Sequence, residues 1–171
     1  MIESTREYQA IAAFYAERCA RRSKVPLIAH INEGLDYLAH WHRSEEEMRA
    51  YAIHPLVQNS EDVDVSWSDV LPLAEEYRDR ANSYLCRPET DHIKTPEQLH
   101  ARLGEISLPC AFMLLADKMQ NQKDFRIHHW FTHKRAAELE NYFNLWIETL
   151  RNIYILPRIA EKTDTDEQKA S

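Results

Sequence analysis

Two histidines and an aspartate stand out as polar residues inside apolar segments. His30 lies on the apolar side of a helical pattern, and His54 lies within a second apolar stretch. Asp117 directly follows the apolar run from Ala111 to Ala116. Imidazole nitrogen and carboxylate oxygen are ligands of transition metals, and a carboxylate at the end of so apolar a helix needs a cationic partner or a metal. A lone histidine on an apolar face, such as His30, is more often a core residue than a ligand.

The residues that follow His54 indicate that acid–base chemistry has been lost. Pro55 comes directly after the histidine, and Gln58 and Asn59 come one helical turn later. A carboxamide has the shape of a carboxylate and can hydrogen-bond, but it has no charge and no useful basicity. General acid–base groups contribute about 10²- to 10⁴-fold in rate. We interpret the stretch around His54 as a hydrolase site whose carboxylates have been replaced.

These residues are expected to lie on helices, because the chain has few of the glycines that hairpin turns and phosphate-binding loops need. It contains only Gly34 and Gly104 in 171 residues, which leaves few positions for hairpin turns or phosphate-cradling loops. Apolar residues instead recur at helical spacing along most of the chain. The sequence predicts an all-α fold of about seven to eight helices, at residues 4–22, 26–41, from 44, 67–85, from 95, from 108 and 133–155.

Local signals predict several helix boundaries. The start signals are Ser44 with Glu47, Ser66 with Asp69, and Thr95 with Pro96. The basic pair at residues 21–22 is expected to end the first helix, where it would complement the helix dipole. Pro55 is expected to kink or stop the third helix, because an interior proline removes a backbone hydrogen bond at a cost near 3 kcal/mol.

Composition restricts the location and the partners. A net charge of −7 argues against non-specific nucleic-acid binding. No apolar run reaches the roughly 18 residues that span a bilayer, and charged residues interrupt the first twenty. Three separated cysteines (Cys19, Cys86 and Cys110) fit reduced thiols. We expect a cytoplasmic protein without nucleic-acid or membrane partners, with one domain at residues 1–158 and a disordered polar tail at residues 159–171.

Three histidines near the last helix form a second possible metal site. His129 and His133 are four residues apart, and His128 precedes them. Because no acidic residue or cysteine accompanies them, we predict a surface histidine cluster in place of a metal site.

Three stretches of the chain carry a resemblance to a known family. They are Arg21-Arg22-Ser23-Lys24-Val25-Pro26-Leu27-Ile28-Ala29-His30, Ala52-Ile53-His54-Pro55-Leu56-Val57-Gln58-Asn59, and Leu114-Leu115-Ala116-Asp117-Lys118-Met119-Gln120-Asn121. In content, order and spacing they are similar to the HD-domain (p)ppGpp hydrolases of the RelA/SpoT type, especially the small single-domain alarmone hydrolases. The similarity covers the chain from about Tyr8 to Leu150, and it implies a single HD-domain helical bundle.

The resemblance implies a metal site that has lost a ligand. In the family one metal ion, usually manganese, is held by a histidine, a His-Asp doublet and a distant aspartate. His30, His54 and Asp117 fall on three of these positions, and Pro55 replaces the fourth ligand. The two amides one turn later fall on the family's acid–base pair. The resemblance also implies nucleotide contacts at Arg21, Arg22, Lys24, Lys118, Asn121 and Tyr142.

Three hypotheses follow from these patterns. The first is a catalytically inactive HD domain that binds a guanine nucleotide such as ppGpp, or a protein partner, without a cofactor. The alternative is an active manganese-dependent (p)ppGpp or nucleotide phosphohydrolase whose rearranged site uses Glu61 and Asp62 as the acid–base pair. The third is an interaction module with a vestigial pocket. The sequence leaves the oligomeric state open.

Overall fold

The chain folds as a bundle of helices around one apolar core. The computed structural model describes residues 1–21, 23–59, 63–90 and 92–161, apart from the side chain of residue 59. Within these residues there are seven α-helices and no strand: α1 (Arg6–Tyr15), α2 (Leu27–His40), α3 (Glu45–Asn59), α4 (Leu71–Ser83), α5 (Pro96–Leu103), α6 (Leu108–His128) and α7 (Ala136–Thr149). A π-helix, Leu150–Ile155, continues α7, and short 3-10 turns lie at Ile2–Ser4 and Pro88–Thr90. The prediction of an all-α bundle of about seven helices is confirmed.

Helix α6 lies at the centre of the bundle. It packs against α2, α4, α7 and the π-helix, and every residue from Cys110 to Lys118 is buried. A helix that is apolar on all sides can be stable only inside the core, so this placement follows from the sequence. The described part of the chain contains no helix with the length and apolar character that crossing a membrane requires.

Two of the predicted helix starts are confirmed in detail. The Glu47 backbone N–H donates to Ser44 Oγ, and the Ser44 N–H donates to Glu47 Oε2 at 2.7 Å. Thr95 caps α5 in the same reciprocal manner, with Pro96 at the first helical position. These caps satisfy backbone donors that would otherwise lack partners at a helix start.

The first helix is shorter than predicted. It ends at Tyr15 and not at the basic pair, because Ala16 adopts a positive φ of 41°, which no α-helix can contain. The following residues turn back on themselves: the Ala20 N–H donates to the Val25 carbonyl, and the Leu27 N–H donates to the Arg18 carbonyl. Periodicity cannot reveal this reversal, because its hydrogen bonds join residues that are not at helical spacing.

The predicted start of the fourth helix is also wrong. Helix α4 begins at Leu71, because Ser66 takes part in a turn with Asp64, and Asp69 forms an ion pair with Arg49 of α3. The last helix similarly begins at Ala136, three residues later than predicted. Residues 156–161 are helical, and most of the tail predicted for residues 159–171 lies outside the described residues.

Two predictions about where helices end near the site need correction. Helix α3 does not stop at Pro55 but continues to Asn59. Asp117 does not end its helix, since α6 continues for about three further turns to His128. Helix α3 passes Pro55 because His54 of the same helix contacts the Tyr51 carbonyl that the proline leaves without a donor.

Candidate functional site

The structure brings His30, His54 and Asp117 together at the meeting point of α2, α3 and α6. One candidate ligand atom from each residue lies within 4.8 Å of the other two. The closest pair is His30 Nε2 and Asp117 Oδ1, at 3.1 Å, and the two imidazole ring centroids are 6.1 Å apart. His54 and Asp117 are buried, whereas the side chain of His30 is 22% exposed. Solvent therefore reaches the cluster on the side of His30.

Pro55 determines the tautomer of His54. Proline has no N–H, so it cannot donate the usual helical hydrogen bond to the Tyr51 carbonyl four residues earlier. His54 Nδ1 takes that place, at 2.6 Å from the Tyr51 oxygen. A ring nitrogen that donates to a carbonyl carries the proton, and this leaves Nε2 as the acceptor. Burial also lowers the pKa of His54 to about 4, so the ring is neutral at pH 7.

Protein groups surround the carboxylate of Asp117. Oδ1 accepts hydrogen bonds from His30 Nε2 and from Asn121 Nδ2, and Oδ2 pairs with Lys118 Nζ at 2.9 Å. Burial alone would raise the pKa of Asp117, but the charge of Lys118 and the hydrogen bond from His30 hold it far below its ordinary value. Lys118 is itself only 7% exposed, and the charge of Asp117 overcomes burial and raises its pKa.

His30 is shared between Asp117 and Gln120. Burial would lower the pKa of His30, but the hydrogen bond to Asp117 and its charge raise it. His30 Nδ1 contacts Gln120 Oε1, and Gln120 Nε2 donates to Asp124 at 2.6 Å. Sequence reasoning missed Gln120, although it lies three residues after Asp117 on the same side of a helix. That spacing, within a motif already singled out, was the available signal.

The donor set fits a divalent metal in type and in spacing. Two imidazole nitrogens and one carboxylate oxygen are ligands that manganese, iron and zinc accept, and they would leave open positions for water or substrate. Lys118 opposes this use, because its ammonium lies against Asp117 Oδ2 and repels a second cation. A metal would therefore have to replace the proton that His30 Nε2 donates to Asp117, against the charge of Lys118.

The two predicted acid–base positions, residues 58 and 59, carry amides and not carboxylates. The Gln58 amide donates to Asn82 Oδ1 at 3.1 Å, so it has a polar partner on α4 and not at the cluster. The side chain of Asn59 lies outside the described part of the chain, as do Glu61 and Asp62. In the described ranges the only set of histidine, cysteine or acidic side chains spaced for a metal is the one at His30. The histidines at 128, 129 and 133 form no such set there.

The predicted nucleotide residues fall into separate places. Lys118 and Asn121 contact Asp117, whereas Arg21 and Lys24 are exposed on the turn after α1. Arg22 lies outside the described residues. Tyr142 is buried on α7, where its hydroxyl donates to the Tyr84 carbonyl at 3.2 Å. The structure therefore does not gather all of these residues around one cavity.

Comparisons with models of protein families, with curated proteins and with solved structures find no match to this chain. The similarity to HD-domain hydrolases therefore depends on the three sequence motifs, and the chemistry of the site must be inferred from its own geometry.

Proposed function

We propose that this chain is a catalytically inactive HD-type domain that binds a phosphorylated guanine nucleotide such as ppGpp. The observation that carries this proposal is the complete set of protein partners around Asp117. Its two oxygens accept from His30, Asn121 and Lys118, all within 3.1 Å. A carboxylate in such surroundings is already neutralised, so the site needs no metal to be stable.

Electrostatics support binding of a phosphate without hydrolysis. The charge of Asp117 is balanced by Lys118, and amides replace the acidic pair expected at residues 58 and 59. Fewer carboxylates mean less repulsion of a polyphosphate. The exposed cations Arg21 and Lys24 belong to the turn that leads directly into α2, the helix that carries His30. Each could form charge-assisted hydrogen bonds with phosphate oxygens.

A metal-dependent phosphohydrolase is the second candidate. It is favoured by the spacing of the three candidate ligands and by the tautomer of His54, which presents Nε2 as an acceptor. In this alternative a divalent ion would displace Lys118 from Asp117, and manganese is the metal that the sequence resemblance favours.

Calorimetric titration of the full chain with ppGpp and with GTP, with and without EDTA, tests the proposal. We expect binding that EDTA does not change, together with no phosphate release in the presence of manganese. The double variant Arg21→Ser/Lys24→Ser should weaken binding by about tenfold or more, because each charge-assisted hydrogen bond contributes about 1.5–3 kcal/mol. The control Arg78→Ser/Arg151→Ser removes equal charge elsewhere and should have little effect.

The possible outcomes separate the candidates. Manganese-dependent phosphate release, or stoichiometric metal in the purified protein, would refute the inactive site and favour the hydrolase. The absence of any heat with both nucleotides at high micromolar concentration would refute nucleotide binding, and a protein partner would then become the leading function.

A further inference from the structure

The position of Lys118 against Asp117 is not one that helix geometry provides by itself. Neighbouring residues of an α-helix point about 100° apart, so their side chains do not normally face each other. The Lys118 side chain nevertheless reaches its neighbour, and Nζ lies 2.9 Å from Asp117 Oδ2. The two residues are only 7% and 4% exposed, so water solvates neither charge well. The ammonium is therefore an internal part of the cluster and not a surface charge.

A residue of α7 also contacts this ammonium. Lys118 Nζ lies over the ring of Trp146, 5.2 Å from the ring centroid, and Trp146 is fully buried. The face of an indole ring attracts a cation, and it does so more strongly where water is excluded. Leaving Asp117 would therefore cost Lys118 an ion pair and a contact with the ring.

His30 places a second positive charge at the other oxygen of Asp117. Its Nε2 donates to Asp117 Oδ1 at 3.1 Å, and its Nδ1 faces Gln120 Oε1. The amide nitrogen of Gln120 donates to Asp124, so the group turned towards His30 is an oxygen, which can only accept. Both ring nitrogens of His30 are therefore donors, which requires the protonated imidazolium. Asp117 thus has a protein cation at each of its oxygens.

Apart from these charges, both histidines are oriented as metal-binding histidines are. A histidine that binds a metal through one nitrogen usually donates from the other to a carbonyl or a carboxylate. His54 Nδ1 donates to the Tyr51 carbonyl, and His30 Nδ1 donates to the Gln120 amide oxygen. The nitrogen left for a metal is Nε2 in both rings. What opposes a metal is charge, namely the proton on His30 Nε2 and the ammonium of Lys118.

We infer that Lys118 is a built-in cation that excludes divalent metal ions from the cluster. Its removal should convert the two histidines and Asp117 into a three-ligand metal site. Two protein cations with one carboxylate carry the same net charge as a divalent ion with two neutral histidines and that carboxylate. The proton of His30 can leave when a metal binds, as in other histidine sites, whereas Lys118 keeps its charge. This inference rests on the metal-free site of the proposed function, but it does not require nucleotide binding.

Calorimetric titration of the full chain with manganese chloride and with zinc chloride tests this inference, after EDTA treatment and removal of the EDTA. Lys118→Gln keeps a hydrogen-bond donor near Asp117 but removes the charge. We expect it to bind either ion about tenfold or more tightly than the wild type, because a like charge no longer opposes the ion at close range. Metal should also raise the thermal midpoint of this variant more than that of the wild type. Lys118→Met is a second neutral variant with the same expectation.

Three further variants serve as controls. Lys118→Arg keeps the charge and should bind metal no better than the wild type. Lys123→Gln removes the same charge from a more exposed side chain of the same helix and should also leave metal binding unchanged. Lys118→Gln/His30→Gln removes one ligand together with the lysine and should lose the gain in affinity.

Wild-type protein that binds manganese or zinc as tightly as Lys118→Gln would overturn the inference. Folded neutral variants with no gain in affinity would also overturn it, as would a gain that persists without His30. Failure of the chain to bind ppGpp would refute the nucleotide site and leave this inference standing, because the titration uses metal ions alone.

Discussion

At the scale of single residues, Pro55 determines which group donates to the backbone carbonyl of Tyr51. The Tyr51 carbonyl loses its helical donor at this point, and the imidazole of His54 replaces that donor. The histidine is thereby held in one orientation and one tautomer inside the core. A proline at this position therefore fixes the geometry of the neighbouring imidazole.

Pro55→Ala tests this relation. Alanine restores the N–H, which should take over the Tyr51 carbonyl and raise the free energy of unfolding by about 2 kcal/mol. Urea unfolding measures the stability, and nitrogen-15 NMR of the imidazole reports the tautomer of His54. We expect the second tautomer to become populated. Pro72→Ala is the control, because Pro72 lies in the first turn of α4, and this change should lower stability by up to about 1 kcal/mol.

A tautomer of His54 unchanged in Pro55→Ala would contradict the role assigned to the proline. Stability that falls in this variant would show that the interior proline has been accommodated without cost.

Gly34 is required by the close approach of α2 and α3. A Cβ atom at this position would lie 1.9 Å from the Tyr51 hydroxyl oxygen and 2.2 Å from its ring. Gly34→Ala should therefore lower the free energy of unfolding by about 2 kcal/mol or more, although alanine is the better helix former by about 1 kcal/mol. In a Tyr51→Leu background the same change should be neutral or stabilising. Equal losses in the two backgrounds, measured by urea unfolding, would refute the contact.

At the scale of helices, a buried ion pair joins the N-terminal helix to the rest of the bundle. Glu7 of α1 is 2% exposed and accepts hydrogen bonds from Arg49 of α3 and from Ser68, which precedes α4. Arg49 also pairs with Asp69. One carboxylate therefore links three segments whose helical patterns give no indication of their mutual arrangement.

This link should make stability depend on pH. The hydrogen bond from Arg49 lowers the pKa of Glu7 from 4.5 to about 2. Because the folded-state pKa lies below the unfolded value, the stabilisation is fully present above pH 4.5 and is lost as the pH falls towards 2. Urea unfolding between pH 2 and 7 should show a smaller loss for Glu7→Gln than for the wild type in this window. Identical pH profiles would rule out the contribution of Glu7.

Replacing Arg49 alone should lower the free energy of unfolding more than replacing both Arg49 and Glu7. Arg49→Met leaves Glu7 buried without its main partner and should cost about 3 kcal/mol or more. The double variant Glu7→Gln/Arg49→Met should lose less than the sum of the single changes. Additive losses would mean that the two side chains stabilise the fold independently.

At the scale of the whole molecule, α6 connects the proposed site to one core. Its buried residues form a single apolar cluster with residues from all the other helices, and its polar positions reach α2 on one side and α7 on another. A ligand that binds only the folded chain at this site should stabilise the whole bundle.

Thermal unfolding can separate a resident metal from a bound nucleotide. A nucleotide at a hundredfold excess over its dissociation constant should add about 2.7 kcal/mol and raise the midpoint by roughly 5–10 °C. EDTA should leave the midpoint unchanged, because Lys118 already balances Asp117. A midpoint that falls with EDTA and recovers with manganese would instead support the metal-dependent alternative.

The sequence by itself determined the helical fold class and the identity of the cluster. Both depend on patterns that a short stretch contains: apolar residues at helical spacing, capping residues at α3 and α5, and polar residues within apolar runs. His30, His54 and Asp117 could be singled out because a polar group in an apolar segment must find a partner. The family resemblance and the nucleotide contacts remain predictions from motifs.

Only the tertiary structure decided which partners those residues find. The contact of His30 with Gln120 joins residues 90 positions apart. The early end of α1 and the late start of α4 likewise arise from turns and ion pairs with residues outside each helix. Hydrogen bonds and charges act over a few ångströms in space, whereas sequence patterns record only neighbours along the chain.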